Sequence, residues 1–349
     1  MRETLATERE SELEETGRRG RGARLVLDLL QRPWVRALAP LVLVLIIGIV
    51  FNAHGAFYAW GTHRDMLRQV SVYGILACGL TLVIISNGID LSVGSLLGFT
   101  AVLFAQLSIH EAWPAAAAIL VVLAAGGACG LVSGELISRF KMQPFIATLA
   151  MMVFARGLAK SISGGEKVSQ AVLMPDGTPR YLDLPRIFSI IDSKVLGGHV
   201  AVVSIIFLGC VAACWVLLGK LRWGRYLYAT GGNEDSARLS GIPTHGVKLL
   251  AYGLSGLMAA VAGICQAVQE QQGDPEAGNG YELTAIAIVV MGGTSLNGGR
   301  GGMLFTLVGA ATIGYLEKIL SINAVPEASR LMLTGAIVVA AVLFQKVRK

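Results

Sequence analysis

Long apolar blocks separated by short polar stretches make up most of this chain, and the apolar residues do not recur at the spacing of an amphipathic helix. A bilayer core about 30 Å thick needs roughly 20 helical residues, and about ten blocks approach that length. The pattern therefore predicts an all-α integral membrane protein with about ten transmembrane helices. The predicted helices cover residues 37–53, 68–86, 91–109, 115–137, 145–162, 199–219, 248–268, 283–296, 302–320 and 329–345.

Composition and charge agree with this class. Of the residues, 54% are hydrophobic and only 15% are charged. Basic residues gather before the first predicted helix, after the fourth, in the stretch 220–247 and at the end of the chain, all on one side by parity. The positive-inside rule makes that side cytoplasmic, so both termini are predicted to be cytoplasmic. The net charge of +6 then reflects orientation and contact with membrane lipid, and no nucleic-acid binding is expected.

The charge map divides the chain into a short tail and one large membrane domain. Residues 1–36 begin with a charged stretch and continue with a mixed apolar and basic one, which predicts a cytoplasmic tail followed by an interfacial helix. Residues 37–346 form the predicted transmembrane domain, with a cytoplasmic loop at 220–247. On the opposite side lie a long loop at 163–198 and an acidic loop at 269–282. The two sides therefore differ clearly in charge.

A polar island at 222–248, between two apolar blocks, is predicted to contain one short capped helix. Asn233 is a good N-cap, and Gly241 suits the left-handed position after the last turn. Glu234 and Asp235 place negative charge in the first turn. About two turns of helix follow from these signals. Two interpretations remain open, a docking element for a cytoplasmic partner and an ordinary capped surface helix.

Two segments interrupt the predicted helices, 86–95 and the glycine-rich 292–302. Asp90 stands among apolar residues, and a carboxylate at membrane depth costs about 2.5–3.5 kcal/mol, so it must be buried in protein, paired or facing water. The six glycines of 292–302 are not expected to continue a helix at depth. Both segments are predicted to be broken or re-entrant elements. An ion pair between Asp90 and Arg300 is one hypothesis. The polar residues predicted to line a translocation pathway are Asn87, Asp90, Ser92, Thr294, Ser295, Asn297 and Arg300.

The chain carries no sequence motif for nucleotide binding or covalent chemistry. It lacks a Gly-x-x-x-x-Gly-Lys-Ser/Thr loop, a nucleophile elbow and a His-Glu-x-x-His pair. Its five cysteines all fall in apolar blocks, and Cys210 and Cys214, which share a helix face, have no histidine or carboxylate beside them. Packing is therefore favoured over a metal or redox site. We expect no catalytic residue, no metal and no cofactor, and the chain is not expected to bind ATP in the usual way.

Several stretches of the sequence resemble one family of membrane transport proteins. They are GIDLSVGS at 88–95, GRYLYATGGNEDSARLSGI at 224–242, GLMAAVAGI at 256–264, GYELTAIAIVVMGGTSLNGGRG at 280–301 and TLVGA at 306–310. Together they make the chain similar to the permease subunits of bacterial ABC sugar importers of the ribose/xylose/arabinose type, the carbohydrate uptake transporter 2 family. The similarity covers most of the chain from about residue 70 onward.

The resemblance implies a multi-pass permease of the bacterial inner membrane, which is a transport subunit and not an enzyme. The expected solute is a monosaccharide, a pentose or hexose such as ribose, or a related polyol. The implied partners are a second permease subunit in a homo- or heterodimer, a cytoplasmic ABC ATPase that hydrolyses the ATP, and a periplasmic sugar-binding protein. The loops 163–198 and 269–282, periplasmic on this view, are the candidate surfaces for the binding protein.

The resemblance also gives the polar island a role, because the island is similar to the coupling helix of importer permeases. That helix has the pattern Glu-Ala-Ala, three residues, then Gly. Here Asp235-Ser236-Ala237, three residues and Gly241 keep the spacing and change the first two residues. The residues implied to couple the permease to the ATPase are Asn233, Glu234, Asp235, Ser236, Ala237, Arg238 and Gly241.

Two other transport mechanisms remain open from the residues alone. In an ion-coupled secondary transporter, Asp90 would carry the coupling proton or ion. A passive channel would instead conduct solute without any partner. The sequence also leaves open which sugar or polyol is carried, whether the dimer is homo- or heteromeric, and which side chains contact the solute.

Overall fold

The computed structural model describes residues 33–173, 178–333, 335 and 336, and most of these residues are helical. The helices are α1 Pro33–Val50, α2 Trp60–Ile85, α3 Val93–Ala105 with a π turn at Gln106–His110, α4 Ala115–Ser138, α5 Pro144–Ser163, α6 Arg186–Asp192, α7 Val202–Lys220, α8 Arg222–Gly232, α9 Glu234–Leu239, α10 Thr244–Glu270, α11 Tyr281–Met291 and α12 Met303–Ile322. Two small antiparallel sheets pair β1 Ala171–Leu173 with β2 Pro179–Tyr181, and β3 Lys194–Val195 with β4 Val200–Ala201.

Seven helices within the described residues are long and apolar enough to cross a membrane. They are α2, α3 with its π turn, α4, α5, α7, α10 and α12, while the apolar part of α1 and helix α11 are shorter. Every predicted transmembrane helix except the last overlaps one of these apolar helices. The last, 329–345, lies mostly outside the described residues, and so does the tail predicted at 1–36. The count of about ten and the orientation of the termini stay predictions.

Helix α3 lies at the centre of the bundle. Of its residues Val93–Ala105, all except Leu103 are buried. It packs against α4, α5, α10 and α11. A helix that is apolar on every side has no face suited to water, so burial on all sides is its stable arrangement.

Small residues bring α4 and α10 into direct backbone contact. A Cβ added at Gly130 would lie 2.2 Å from the carbonyl oxygen of Tyr252, and one added at Gly256 would lie 2.2 Å from that of Gly126. In lipid, no hydrophobic driving force brings helices together, so membrane helices associate through close van der Waals packing of this kind. This contact fixes α10, which carries part of the candidate site.

The connection between α5 and α7 folds into a cap over one end of the bundle, described at residues 164–173 and 178–201. Val168 pairs with Gly273 in an antiparallel bridge, which joins the cap to the connection between α10 and α11. The ring of Phe188 on α6 stacks on Phe104 of α3, with centroids 5.4 Å apart. The stretch that the sequence predicts only as a loop is thus a folded element seated on the helix ends.

The polar island at the other end of α7 contains two helices, α8 and α9, so the prediction of one short helix is wrong. Helix α8 is amphipathic, with Leu227 buried and Arg222 and Arg225 exposed. The sequence does not predict this helix, because each of its glycines costs a helix about 1 kcal/mol relative to alanine. Packing compensates at Gly224, where a Cβ would lie 2.4 Å from the carbonyl oxygen of Leu218.

Candidate functional site

Helix α2 ends at Ile85, and the chain does not become helical again until α3 begins. The residues between, 86–92, form what we call the first break. Its opening turn is left-handed at Asn87 (φ 61°) and is closed by a hydrogen bond from the N–H of Gly88 to the carbonyl oxygen of Val83 at 2.9 Å. The broken element predicted in this part of the sequence is therefore present.

The first break carries Asp90 into the interior of the bundle. The Asp90 carboxylate accepts hydrogen bonds from the hydroxyl of Ser255 at 2.7 Å, and from the hydroxyl and the N–H of Ser92 at 2.6 Å and 3.0 Å. Ser255 lies on α10, and the helical rise places it about 16 Å from Thr244, the first residue of that helix. Only 1% of Asp90 is exposed. The first break thus brings Asp90 beside the middle of α10 before α3 begins.

The hypothesis of an ion pair between Asp90 and Arg300 is wrong. Arg300 is exposed, and neither side chain takes part in any ion pair within the described ranges. Hydroxyl and amide donors satisfy the carboxylate instead of a cation, which makes burial of this polar group tolerable. Sequence reasoning missed Ser255, because it lies 165 residues further along the chain.

Residues 292–302, between α11 and α12, contain no helix and form the second break. Left-handed glycines shape it, among them Gly298 and Gly299 with φ of 76° and 67°, where a side chain would add strain. A hydrogen bond from the N–H of Ser295 to the carbonyl oxygen of Arg300 closes its turn at 3.0 Å. The unwound element predicted here is also present.

The two breaks lie side by side. The N–H of Gly299 in the second break donates to the carbonyl oxygen of Ile85, just before the first break, at 2.9 Å. The helices beside them are joined as well, since the hydroxyls of Thr81 and Thr306 are 2.7 Å apart and both are buried. The two breaks and the helices beside them are therefore joined by direct hydrogen bonds.

The predicted pathway residues fall into two groups. The buried group consists of Asp90, Ser92 and Thr294. The exposed or half-buried group consists of Asn87, Ser295, Asn297 and Arg300. The second group gathers at the tips of the two breaks, where a Cβ on Gly298 would lie 2.7 Å from the Cβ of Asn87. Asp90 and Ser92 hold the first break in shape through their hydrogen bonds, while the side chains at the tips are at least partly open to solvent.

Helix α9 is closed at both ends as its sequence predicts. The side chain of Asn233 accepts a hydrogen bond from the N–H of Ser236 at 2.8 Å. At the other end the N–H of Ile242 donates to the carbonyl oxygen of Ala237 at 3.0 Å, across the left-handed Gly241. Both contacts satisfy backbone groups that a free helix end leaves without partners.

One face of α9 is fixed to the bundle. Ala237 is only 5% exposed. The carboxylate of Glu234 pairs with Lys248 of α10 at 2.5 Å and with Lys141, between α4 and α5, at 3.6 Å. Both residues belong to the predicted coupling set, but their contacts are already made inside this chain. They position α9 relative to the helix ends.

The opposite face of α9 is open. Asp235 and Arg238 pair with each other at 2.9 Å and remain exposed. Leu239 is 86% exposed, more than any other large apolar residue in the described part of the chain. Sequence reasoning missed Leu239, although a signal existed: Ala237 and Leu239 are two residues apart on a six-residue helix and cannot face the bundle together.

The pKa of Glu234 lies below its ordinary value. Burial tends to raise this pKa, but the hydrogen bond and charge of Lys248, followed by the charge of Lys141, outweigh burial. A lowered pKa means that the ionised carboxylate stabilises the folded island above the unfolded-state pKa of about 4.3. That contribution is lost as the pH falls through the lowered pKa of the folded state.

We expect Lys248→Met to raise the pKa of Glu234 toward its ordinary value, because the change removes the carboxylate's nearest cation. Carbon-13 NMR of glutamate-labelled protein measures this pKa, with the Glu234 signal identified by its absence in Glu234→Gln. Arg139→Gln is the matched control, because Arg139 pairs with Glu135 at 3.2 Å and not with Glu234. An unchanged Glu234 titration in Lys248→Met contradicts the described pairing.

A third irregular stretch, the α10–α11 connection at residues 271–280, runs into the bundle along α3. A Cβ added at Gly273 would lie 2.7 Å from the Cα of Val102, and one added at Gly278 would lie 2.1 Å from the carbonyl oxygen of Gly94. Val102 and Gly94 are eight residues apart on α3, so the connection follows this helix over about 12 Å. Backbone without helix is tolerated at such depth because protein surrounds it. The sequence predicts only a surface loop here, but Gly273, Pro275 and Gly278 are buried against the bundle, while Glu276 and Asn279 stay exposed.

Arg156 of α5 holds the α10–α11 connection in place. Its Nη1 donates to the carbonyl oxygen of Ala277 at 2.9 Å and also to that of Pro275. A Cβ on Gly98 of α3 would lie 2.6 Å from the same Ala277 oxygen. Sequence reasoning missed this residue, although a charge inside an apolar helix is itself a signal of a functional or structural partner.

We expect Arg156→Met to increase amide hydrogen exchange in the α10–α11 connection and to reduce transport, because two backbone carbonyls lose their donor. Mass spectrometry of exchanged peptides measures the first effect. Lys160→Met is the matched control, since Lys160 pairs with the exposed Glu276 at 2.6 Å, one turn further along the same helix. Equal amide exchange in the Arg156 variant and the wild type would contradict the role of Arg156 in holding the α10–α11 connection.

Residues 63–342 match the family described as branched-chain amino acid transport system / permease component. The ribose import permease protein RbsC of Escherichia coli (strain K12) is 39% identical over 303 residues, 87% of this chain and 91% of the relative. The fructose import permease protein FruG of Bifidobacterium longum (strain NCC 2705) is 33% identical over 320 residues, 91% and 92%. The xylose transport system permease protein XylH of Escherichia coli (strain K12) is 32% identical over 355 residues, 88% and 90%. No solved structure matches the chain. With the seven apolar helices, these matches indicate a multi-pass membrane protein and confirm the resemblance drawn from the motifs.

Proposed function

Because the chain belongs to the branched-chain amino acid transport system / permease component family, we propose that it is the transmembrane permease subunit of an ATP-driven ABC importer in the bacterial inner membrane. Its solute is a monosaccharide, a pentose or hexose such as ribose, or a related polyol. ATP is hydrolysed by a separate ATPase subunit, and this chain carries out no covalent chemistry.

The choice of a sugar rests on the relatives. The family description names amino acids, but relatives that match this chain along most of both lengths are named for ribose, fructose and xylose. Their identities of 32–39% extend over 87–91% of this chain. The polar groups at the tips of the two breaks include amide and hydroxyl side chains, which suit the hydroxyls of a sugar.

The observation that carries the coupling to an ATPase is the geometry of α9. This helix is capped at both ends, fixed to the bundle on one face and open on the other, with Leu239 projecting from the open face. An exposed leucine on a rigid, positioned helix is suited to a groove on a partner protein. The chain has no nucleotide-binding loop of its own, so the partner that supplies energy is the ATPase.

The positions of the island and the cap at opposite ends of α7 support a sugar-binding protein as a further partner. This helix separates the island from the cap by about 28 Å of helical rise, close to the thickness of a bilayer core. With the island and both termini cytoplasmic, the cap is periplasmic and offers a surface for the sugar-binding protein. The exposed apolar faces of α4 and α5 contact lipid and a second permease subunit, whether identical or not.

The alternative, an ion-coupled secondary transporter, depends on Asp90 as the coupling carboxylate. Both carboxylate oxygens of Asp90 already accept hydrogen bonds from serine donors, and the side chain is fully enclosed. Such an arrangement is better suited to holding the first break than to exchanging an ion with solvent. The importer is therefore favoured.

The source of energy separates the two functions. We expect sugar uptake to stop when the ATPase gene is deleted and to continue when a proton uncoupler dissipates the membrane potential. The opposite pattern contradicts the importer. The sugar itself is identified by purifying the cognate binding protein and screening pentoses, hexoses and polyols for a rise in its melting temperature.

A further inference from the structure

Gly231, next to the last residue of α8, sits on the contact between the two breaks. It is buried, and a Cβ added to it would lie 1.7 Å from the carbonyl oxygen of Ile85 and 2.8 Å from the amide nitrogen of Gly299. These two atoms are the acceptor and the donor of the hydrogen bond that joins the breaks at 2.9 Å. Any side chain at Gly231 would therefore collide with the hydrogen bond that holds the breaks together.

The second break also approaches α8 from its own side. A Cβ added at Gly298 would lie 2.6 Å from the carbonyl oxygen of Gly231, and one added at Gly299 would lie 2.9 Å from the Cα of Gly232. Three backbones thus meet without intervening side chains: the end of α2, the second break and the end of α8. Backbone contacts of this kind have little slack, because close-packed interiors transmit strain.

The island is joined to this contact by a very short connection. Asn233 is both the residue after α8 and the N-cap of α9. Its N–H still donates to the carbonyl oxygen of Ala229 at 3.1 Å, so it continues the hydrogen bonding of α8. A displacement of α9 therefore reaches Gly231 within two residues, with no flexible linker to absorb it.

We propose that Gly231 is the positioning residue that transmits movement of α9 to the two breaks. This inference rests on the proposed function, in which the ATPase binds α9. When the ATPase pulls or pushes α9, the end of α8 shifts against Ile85 and Gly299 and changes how the breaks face each other. Glycine is required here because only it lets the three backbones touch.

The test compares Gly231→Ala with Gly232→Ala in the assembled complex of permease, ATPase and sugar-binding protein. The two glycines are adjacent in α8, but a Cβ at Gly232 meets no atom within 4 Å. Gly231→Ala is expected to bind the ATPase normally and to lower the sugar transported per ATP hydrolysed by about tenfold, because overpacking displaces the breaks. Gly232→Ala is expected to match the wild type.

The ratio of sugar transported to ATP hydrolysed distinguishes transmission from simple packing. A glycine that only permits packing would lower the amount of folded complex and leave this ratio unchanged, and that result overturns the proposal. If the wild-type permease does not bind the ATPase at all, the proposed function fails rather than the role of Gly231.

A second measurement needs no variant at Gly231. In the wild-type complex, nucleotide binding to the ATPase is expected to change amide exchange together in α8, in the first break and in the second break, including the N–H of Gly299. This holds even if Gly231→Ala does not fold. Transport-competent complexes whose breaks show the same exchange with and without nucleotide overturn the proposal.

Discussion

Leu239→Asp is expected to prevent stable association with the ATPase. The side chain is 86% exposed on the open face of α9. Burying a leucine in a partner's groove contributes about 1.5–3 kcal/mol, and placing a carboxylate there adds a desolvation cost, so affinity falls by about 10- to 100-fold or more. Co-purification and binding of the purified ATPase to the permease in nanodiscs measure this loss.

The matched control is Leu196→Asp. Leu196 is 74% exposed, so the chemical change is the same, but it lies in the cap at the other end of the bundle. Binding of the ATPase should be unaffected by it. If both variants bind the ATPase as the wild type does, α9 is not the docking element.

Asp90→Ala is expected both to destabilise the bundle and to stop transport. The change leaves the hydroxyls of Ser255 and Ser92 and the N–H of Ser92 without their acceptor, deep in the protein. Buried donors without partners cost about 1–3 kcal/mol each, and with partial relaxation we expect a loss of about 2–4 kcal/mol of unfolding free energy. Unfolding in mixed detergent and ATP-driven uptake measure the two effects.

The double variant Asp90→Ala with Ser255→Ala is the control for this assignment. The double variant leaves two buried donors without an acceptor where Asp90→Ala leaves three, so the two losses should be less than additive. Asp90→Asn keeps the shape of the side chain and should be less destabilising than Asp90→Ala. An Asp90→Ala variant that transports and unfolds as the wild type does removes Asp90 from both the fold and the mechanism.

The parts of the fold that depend on local chemistry are predictable from the sequence. The apolar blocks give the membrane helices, because length and hydropathy are properties of each block. The caps of α9 form as predicted, because Asn233 and Gly241 act on backbone groups within a few residues. The second break is predictable as well, since its six glycines disfavour helix, and the first is indicated by the charged Asp90 among apolar residues.

The features that the sequence does not reveal depend on distant contacts. A propensity scale counts Gly224 and Gly231 of α8 only as helix breakers. In the structure both glycines pack against the backbone of other elements, which stabilises the helix. The α10–α11 connection is polar and rich in turns, so only its contacts with α3 and Arg156 show that it enters the bundle. The hydrogen bond between Asp90 and Ser255 likewise joins residues far apart in the sequence.

Together these features form a continuous route through the molecule. Helix α9 offers its open face at one end, α8 carries its position to Gly231, and Gly231 touches both breaks. The first break leads through Asp90 to α10 and α3, and α3 is lined further along by the α10–α11 connection.

Transport by purified components is the most direct test that this chain is the membrane subunit of an ATP-driven sugar importer. The permease is placed in liposomes alone, and in parallel with the ATPase and the sugar-loaded binding protein. We expect sugar to accumulate only in the complete system and only when ATP is supplied on the ATPase side. Flux of the sugar through the permease alone, or accumulation that needs an ion gradient and no ATP, would contradict this function.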